Sequence, residues 1–275
     1  MAGGTMIDKA MKMLKIVDIT TENDTMKSFY FKDESMCTAD PGQFVMVWVP
    51  HTVPESINYE IPDQVPMGVS GVYNNIFSIT VRNSGLTTNE LFKYKTGDIL
   101  GVTGPLGKGF TIAGDNILCV AGGIGAAPLS FLVQKLEKPP DFVLGVTTKS
   151  ELLYQEKLKS LCTLHITTDD GSYGIKGFAT DPVEEICTKN NIDQIYCCGP
   201  EIMMRKVFEI AVNHEIPAQF LLERYLYCGM GVCGHCTVDG YLVCEDGPVF
   251  TAEQLKSVKD FGVKKVDETG KKVKI

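Results

Sequence analysis

Four cysteines near the carboxyl end constrain this chain more than any other feature. They stand at Cys228, Cys233, Cys236 and Cys244, spaced C-x4-C-x2-C-x7-C, with Gly229, Gly231 and Gly234 between the first three. So many thiols in so short a stretch exceed what core filling requires. Residues without a Cβ let a loop curl tightly and turn its backbone N–H groups inward. A compact iron–sulfur unit needs both features, thiolates for the iron and donors for the charged sulfides. The first three cysteines match the plant-type C-x4-C-x2-C spacing of a [2Fe–2S] cluster. Structural zinc is the rival reading, but it normally shows two separated C-x2-C pairs and only one is present. A disulfide framework needs an oxidising compartment, which nothing in the sequence indicates. His235 lies inside the loop and is expected as a solvated residue, because four cysteines complete the ligand set.

The length of 275 residues suggests two or three domains, and a hydrophobic fraction of 44% is enough for real cores. A net charge of −8 disfavours nucleic acid and anionic membrane as general partners. No apolar run approaches the roughly 20 residues of a membrane span. The start of the chain lacks the apolar core and cleavage site of a secretory signal. A cytoplasmic protein is therefore expected, with the other cysteines buried as small apolar groups.

Residues 14–19, 28–31, 44–49, 76–81 and 99–103 are rich in β-branched and aromatic side chains. Turn signals such as Pro41-Gly42, Asn83-Ser84-Gly85 and Thr96-Gly97-Asp98 separate them. This predicts a small antiparallel barrel, with a short helix over 88–94 at one end. A polar, proline-punctuated loop over 51–64 reads as a surface excursion. After Gly114 the pattern changes. The apolar run 116–120 predicts a buried parallel strand, followed by AGGIGAAP at 121–128 and an amphipathic helix over 129–136. Strands over 142–147, 164–167 and 194–198 alternate with helices over 152–160, 181–189 and 201–214, which indicates a doubly wound α/β layer. The expected domains are a barrel over 1–112, a nucleotide-binding α/β unit over 113–217, a small cluster unit over 218–262 and a lysine-rich tail over 263–275. The tail reads as solvated.

Two turns carry a nucleotide signal. Gly122, Gly123 and Gly125 follow a predicted strand and open a predicted helix, where backbone N–H groups attract phosphate. Pro128 suits the first helical turn. Cys198, Gly199 and Pro200, in CCGPEIMM at 197–204, again stand between a strand and a helix. Either turn alone could be an ordinary tight connection. Both would lie at the carboxyl edge of one parallel sheet, where open α/β folds bind ligands, and together they predict a dinucleotide cleft. The fingerprint G-x-G-x-x-G is partly present, with Pro128 at the third glycine position. Residues 147–151 offer Lys149 but no arginine for a 2′-phosphate, which favours NAD over NADP.

The order of barrel, nucleotide unit with GGIGAAPL and CGPEIMM, and cysteine cluster resembles the ferredoxin–NADP reductase relatives. Within them, ERYLYCGMGVCGHCTVDGYLVCEDGPVF and, further upstream, GSYGIKGFATD are similar to the electron-transfer subunit of dihydroorotate dehydrogenase B. The resemblance covers nearly the whole chain. It implies FAD in the barrel, held through a motif written R-P-x-S or R-x-Y-S. Here Met67, Gly68, Val69 and Ser70 follow Pro66 and match that motif without its pyrophosphate-binding arginine, and Phe77-Ser78 is a rival match. Thr80, Val81 and Arg82, with Gly85, Thr87 and Thr88, resemble the second flavin segment, Arg82 and the threonine hydroxyls being phosphate or ribityl partners. The resemblance also implies a [2Fe–2S] cluster on the four cysteines and NAD(H) as exchanging substrate. Its implied partner is a catalytic FMN-containing dihydroorotate dehydrogenase subunit, in a heterotetramer of two of each, serving pyrimidine (UMP) biosynthesis. No constellation for orotate chemistry is evident in the chain itself. A nicotinamide delivers two electrons as hydride and a [2Fe–2S] cluster takes one, so a flavin must stand between them. The alternatives are a related flavin subunit serving ferredoxin, hydrogenase or sulfur reduction, and a zinc-stabilised module with no redox role.

Overall fold

The computed structural model describes residues 10–50 and 64–275. The first nine residues and all but Gln64 of the loop expected over 51–64 lie outside the described residues.

Six strands close a barrel: β1 (Lys12–Asn23), β2 (Met26–Lys32), β3 (Phe44–Trp48), β4 (Val65–Tyr73), β5 (Ile76–Arg82) and β6 (Ile99–Leu106), in the order β1-β2-β5-β4-β3-β6. Alternate residues point inward, so Phe29, Phe31, Val45, Val47, Val69, Phe77, Ile79, Val81, Leu100 and Val102 fill the interior. The short helix α1 (Leu86–Leu91) begins two residues before its expected start. Strand β4 is absent from the sequence expectation, because Pro66, Gly68 and Gly71 dilute its β pattern. The structure shows how it tolerates them. Val65 to Gly68 pair only with β3, and Val69 to Tyr73 only with β5. Pro66, which has no N–H to give, therefore sits where the strand has one ladder neighbour.

The second unit contains β7 (Ile117–Gly122), α2 (Ala126–Val133), β8 (Asp141–Val146), α3 (Gln155–Lys159), β9 (Thr163–Thr168), β10 (Ile175–Lys176), α4 (Asp181–Lys189), β11 (Gln194–Cys198), α5 (Glu201–Asn213) and β12 (Ala218–Leu221). Beyond them come a hairpin of β13 (Thr237–Val238) and β14 (Tyr241–Leu242), β15 (Val249–Thr251), α6 (Ala252–Leu255), and a hairpin of β16 (Lys264–Val266) and β17 (Lys272–Lys274). One seven-stranded sheet runs β10-β9-β8-β7-β11-β12-β15, parallel except at the β15 edge. Helix α2 starts at Ala126 and is buried all round rather than amphipathic. It is wedged between sheet and barrel, with Phe131 among the barrel core residues. The helix expected over 152–160 is shortened to α3, because Tyr154 takes a left-handed φ of 58° just before it.

Two expectations are corrected. Strands β12 and β15 lie within 218–262 yet are hydrogen-bonded into the nucleotide sheet, so the cluster segment is an insertion between neighbouring strands. Strands this short gain their order from non-local partners and leave little local signal. The lysine-rich tail is not merely solvated. It forms the β16–β17 hairpin, with Val266 buried and Lys272 bonded to Asp260.

Candidate functional site

The cluster segment leaves the sheet after β12 and returns at β15, its neck closed by the Leu222 N–H donating to the Pro248 carbonyl at 2.9 Å. Gly229, Gly231 and Gly234 all hold left-handed backbones (φ 67°, 77° and 74°), which bend the loop back on itself. The N–H groups of Met230, Val232 and Cys233 consequently point at Cys228 Sγ, at 3.5, 3.4 and 3.4 Å. The Gly231 N–H points at Cys244 Sγ at 3.2 Å, and Cys236 Sγ lies 3.4 Å from Cys244 Sγ. Cys236 and Cys244 are buried, Cys228 is half-buried and Cys233 is exposed. Burial works to raise the Cys228 thiol, but the three N–H donors outweigh it and bring the group down to about 7. Burial, reinforced by Cys236, pushes the Cys244 thiol up to about 12, a cost that a bound cation removes by holding the thiolate.

These residues fit a binuclear cluster. Two thiolates on one tetrahedral metal, each about 2.3 Å from it, lie roughly 3.8 Å apart, close to the Cys236–Cys244 spacing. His235 is not a freely solvated residue. Its Nε2 donates to the Asp267 carbonyl at 3.0 Å, and its ring packs edge-on to Tyr227 at 4.4 Å.

The loop rests on the barrel. A Cβ at Gly229 would stand 2.7 Å from Met46 Cγ and 3.2 Å from Leu106 Cδ1. Met46 pairs with Pro66 and Phe44 with Gly68 in the β3–β4 ladder, so the thiol loop lies one strand from the expected flavin motif despite their distance in sequence.

At that motif the barrel wall opens. Beyond the Val69–Ile79 pair, β4 and β5 no longer bond to each other, leaving Met67 and Gly68 on one lip and Thr80, Val81 and Arg82 on the other. A Cβ at Gly68 or Gly85 would meet nothing within 4 Å. Unpaired strand edges beside an open cradle fit a flat, polar-edged ring system such as a flavin. Not every expected residue faces this gap with its side chain. Val69 and Val81 fill the barrel core. Ser70 shares a buried 2.9 Å hydrogen bond with Ser78, and Thr80 joins Ser28 at 2.9 Å and the Tyr154 hydroxyl. Thr88 Oγ1 accepts the N–H groups of Ser84 and Gly85 at 2.9 Å each and so shapes the turn before α1; Thr87 is half-buried beside it. The rival Phe77 is a core residue stacked on Phe31 at 5.2 Å. A cavity of about 750 Å³ beside Tyr73, Tyr154 and Lys157 is lined by Ser70 of the expected motif and by Ser78 of the rival match.

The nucleotide turns meet as expected. Strands β7 and β11 are neighbours, Ala121 pairing with Cys198, and the chain proceeds from β7 outward to β8 and β9 before crossing to β11. Such a switch point opens a crevice at the carboxyl edge. The glycines there have different jobs. A Cβ at Gly122 would lie 2.5 Å from Pro200 Cδ, at Gly125 2.2 Å from the Cys198 carbonyl oxygen, and at Gly199 2.7 Å from the Gly122 nitrogen. Those three let the turns interlock. Gly123, with φ 53°, faces open space bounded by Arg82 Nη1 at 3.8 Å. Arg82 also reaches Glu151 at 3.5 Å, so the arginine of the second flavin segment stands against the first nucleotide turn. The Cys198 thiol is buried and its pKa is raised by that burial and by Glu223. What Cys198 presents to the crevice is backbone.

Sequence reading missed one buried pair. Arg224, just past β12, donates Nη2 to Glu201 Oε1 at 2.9 Å and Nη1 to the second oxygen. The Gly262 N–H adds a bond to Glu201 at 2.8 Å. Glu201 opens α5 immediately after the Cys198–Pro200 turn, so this pair ties the nucleotide turn to the root of the cluster segment. The only local signal was the ER dipeptide at 223–224, whose partner is invisible without the fold.

Residues 223–256 match the family described as the iron-sulfur cluster binding domain of dihydroorotate dehydrogenase B, and 119–209 match the oxidoreductase NAD-binding domain. The first match favours iron–sulfur over zinc. The chain is 43% identical over 265 residues to the probable dihydroorotate dehydrogenase B (NAD(+)) electron transfer subunit of Methanocaldococcus jannaschii, covering 94% of this chain and 96% of that one. It is 36% identical to the protein of the same name in Methanothermobacter thermautotrophicus, covering 95% and 97%. Among solved structures it is similar to a chain of the NADH-dependent reduced ferredoxin-NADP oxidoreductase, described for flavin-based electron bifurcation. There the TM-score is 0.77 at 30% identity, over 91% of this chain and 90% of that one.

Proposed function

The chain belongs to the family of dihydroorotate dehydrogenase B electron transfer subunits, and from that premise we propose how its residues share the work. The protein is an NAD-linked oxidoreductase subunit that transfers electrons between NAD and a catalytic partner subunit, with FAD and an iron–sulfur cluster as its cofactors. When bound, FAD exchanges electron pairs with a nicotinamide and single electrons with the cluster. Cys228, Cys233, Cys236 and Cys244 hold the cluster, and the loop's N–H groups offset its negative charge. Met67, Gly68 and the backbone of Thr80–Arg82 line the flavin ring, with Val69, Ser70 and Val81 as the wall behind it. Gly85, Thr87 and Thr88 form the phosphate turn. Gly123 admits the nicotinamide nucleotide's phosphates to the start of α2, while Gly122, Gly125, Cys198, Gly199 and Pro200 build the crevice. Arg82 stands between the two phosphate turns and serves in place of the missing motif arginine.

One observation carries this reading: the thiol loop touches β3 at Met46, and β3 pairs with the lip of the flavin gap at Pro66 and Gly68. The working division is a flavin unit over 1–112, a nucleotide unit over 113–217 completed by β12 and β15, a cluster segment between those strands and a terminal hairpin. The partner is the FMN-containing subunit that oxidises dihydroorotate, two of each forming a cytoplasmic heterotetramer for pyrimidine synthesis. No helix among the described residues is long and apolar enough to cross a membrane. Anaerobically purified protein should carry about two irons and two sulfides per chain, together with FAD, and NADH should bleach the flavin. Zinc without iron in that preparation would overturn the reading. The likeness to the ferredoxin-NADP oxidoreductase chain gives a second reading, in which the same cofactors serve a ferredoxin-linked complex. The protein that co-purifies with the chain separates the two.

A further inference from the structure

The chain's charge is segregated. Seven of its 26 Lys and Arg residues but only three of its 34 Asp and Glu residues fall in 256–275, so these twenty residues carry a net +4 in a chain of net −8. Lys264, Lys265, Lys271, Lys272 and Lys274 are all exposed on or beside the β16–β17 hairpin. Among the described residues, only Lys272 of these makes an ion pair, to Asp260 and Asp239. Lys264 lies directly opposite Lys274 in the ladder, a like-charge pairing that works against the hairpin. An isolated two-stranded hairpin is marginal in water. This one is held in place by its contacts, and two of them are to the thiol loop. The Tyr227 hydroxyl donates to the Glu268 carbonyl at 2.6 Å, and His235 donates to the Asp267 carbonyl. The fold thus spends order on holding a cationic ribbon against the cluster segment. Beside it the loop exposes Val232 (80%), Met230 and Tyr225, an apolar centre with a charged flank.

We propose that the β16–β17 hairpin is a basic docking rim for an acidic face of the catalytic subunit, which steers that subunit onto the exposed cluster loop. The inference rests on the proposed function, since it assumes that electrons leave through the loop. A protein that closes over Cys233 and Val232 also meets the hairpin clasped to Tyr227 and His235 of the same segment. Charge at such a rim governs encounter rate and orientation more than final affinity.

The test uses the full-length chain, loaded with flavin and cluster, and the separately purified catalytic subunit. Two variants are compared with wild type: Lys264→Glu/Lys265→Glu/Lys271→Glu/Lys274→Glu, and the same four positions changed to Gln. Iron content and NADH-driven flavin bleaching, measured on each chain alone, report that the loaded fold is intact. The association rate is then followed by stopped flow at low and high salt. At low salt the Glu variant should associate at least about tenfold more slowly and the Gln variant by a smaller factor, with both gaps closing at high salt. Equal rates and equal salt slopes for wild type and both variants would overturn the inference while leaving the proposed function standing. A wild-type chain that never binds the catalytic subunit would overturn the proposed function first. Wild-type sedimentation with anionic phospholipid vesicles, together with unchanged partner kinetics in the variants, would assign the rim to a membrane instead and equally overturn the proposal.

Discussion

Gly123 and Gly125 stand two residues apart in one turn, and the structure predicts opposite outcomes for giving each a methyl group. At Gly123 the added Cβ meets only the far end of Arg82, at 3.8 Å. The remaining penalty is the left-handed φ of 53°, worth about 1–2 kcal/mol for a residue with a Cβ. At roughly 2–4 °C per kcal/mol, Gly123→Ala should lower Tm by about 2–8 °C and still fold. Its methyl would stand where a phosphate must approach the start of α2. Losing one hydrogen bond to a charged group costs about 1.5–3 kcal/mol, so the NADH concentration giving half-maximal flavin reduction should rise roughly 10- to 150-fold. At Gly125 the added Cβ would lie 2.2 Å from the Cys198 carbonyl oxygen and 2.5 Å from its carbon. Backbone cannot rotate away as a side chain can, so Gly125→Ala must displace the whole β11–α5 turn. It should cost at least the roughly 1–3 kcal/mol of an overpacked core and lower Tm more than Gly123→Ala. The assay pairs a thermal melt with stopped-flow flavin bleaching over a range of NADH concentrations. A Gly123→Ala protein that melts as predicted but bleaches at the wild-type NADH concentration would refute the assignment and leave this turn a structural one.

Three further outcomes follow from the same geometry. Cys233→Ser should lose iron yet keep FAD, still oxidise NADH with an artificial two-electron acceptor, and fail to link NAD to dihydroorotate when mixed with the catalytic subunit; undiminished coupled turnover would refute this order of cofactors. Glu201→Gln leaves the Arg224 guanidinium buried, at 1% exposure, without its charge partner, so denaturant unfolding should show a loss of about 3–5 kcal/mol, and a loss under about 1 would show that Arg224 finds another partner. Burial works to raise the Asp33 carboxyl, but Ser35, the Met36 N–H and Lys12 together hold it below its ordinary value. Its stabilising contribution is therefore present above the unfolded-state value and lost as pH falls through the folded one, so the Tm gap between wild type and Asp33→Asn should be wide near neutrality and close in acid.

Elements with strong local signals were legible in the sequence. The bounds expected for β11 and α4 coincide with those observed, the helix being marked by Asp181-Pro182 at its start and by buried Val183, Ile186 and Cys187 on one face. The thiol loop was legible because its cysteine spacing is written in one continuous stretch. What stayed hidden depends on neighbours. Strand β4 is stabilised in two halves by two different partners, which no window of its own sequence records. Strands β12 and β15 are short segments made regular by β11 and by each other. The glycines of the first nucleotide turn look alike in sequence. Only the approach of Cys198 and Pro200 shows that Gly122 and Gly125 are spacers and that Gly123 is open. The tail's lysines read as solvated because the carbonyls that fasten the hairpin to Tyr227 and His235 belong to backbone.

The sheet itself explains why three sites with separate sequence signals share one edge. Strands β7, β11 and β12 are parallel, and Leu221 at the end of β12 pairs with Cys198 at the end of β11. A segment inserted after β12 must therefore emerge beside the Cys198–Pro200 turn, at the same edge as Gly123. Arg224 fixes its first residues to Glu201 at the start of α5. The return is fixed as firmly: the Lys108 N–H donates to the Gly247 carbonyl at 2.6 Å, so the segment touches the barrel just past β6 before β15 rejoins the sheet. Between these anchors the thiol loop lies against β3 and β6, where Gly229 meets Met46 and Leu106. Spacing from the nucleotide turns to the β4–β5 gap to the thiol loop is thus set by strand pairing, one buried ion pair and the Lys108–Gly247 hydrogen bond. A site supported by rigid elements holds its geometry more closely than one built on free loops. Substitutions that loosen the Arg224 or Gly247 anchor should therefore slow transfer through the cluster before they affect the binding of NADH.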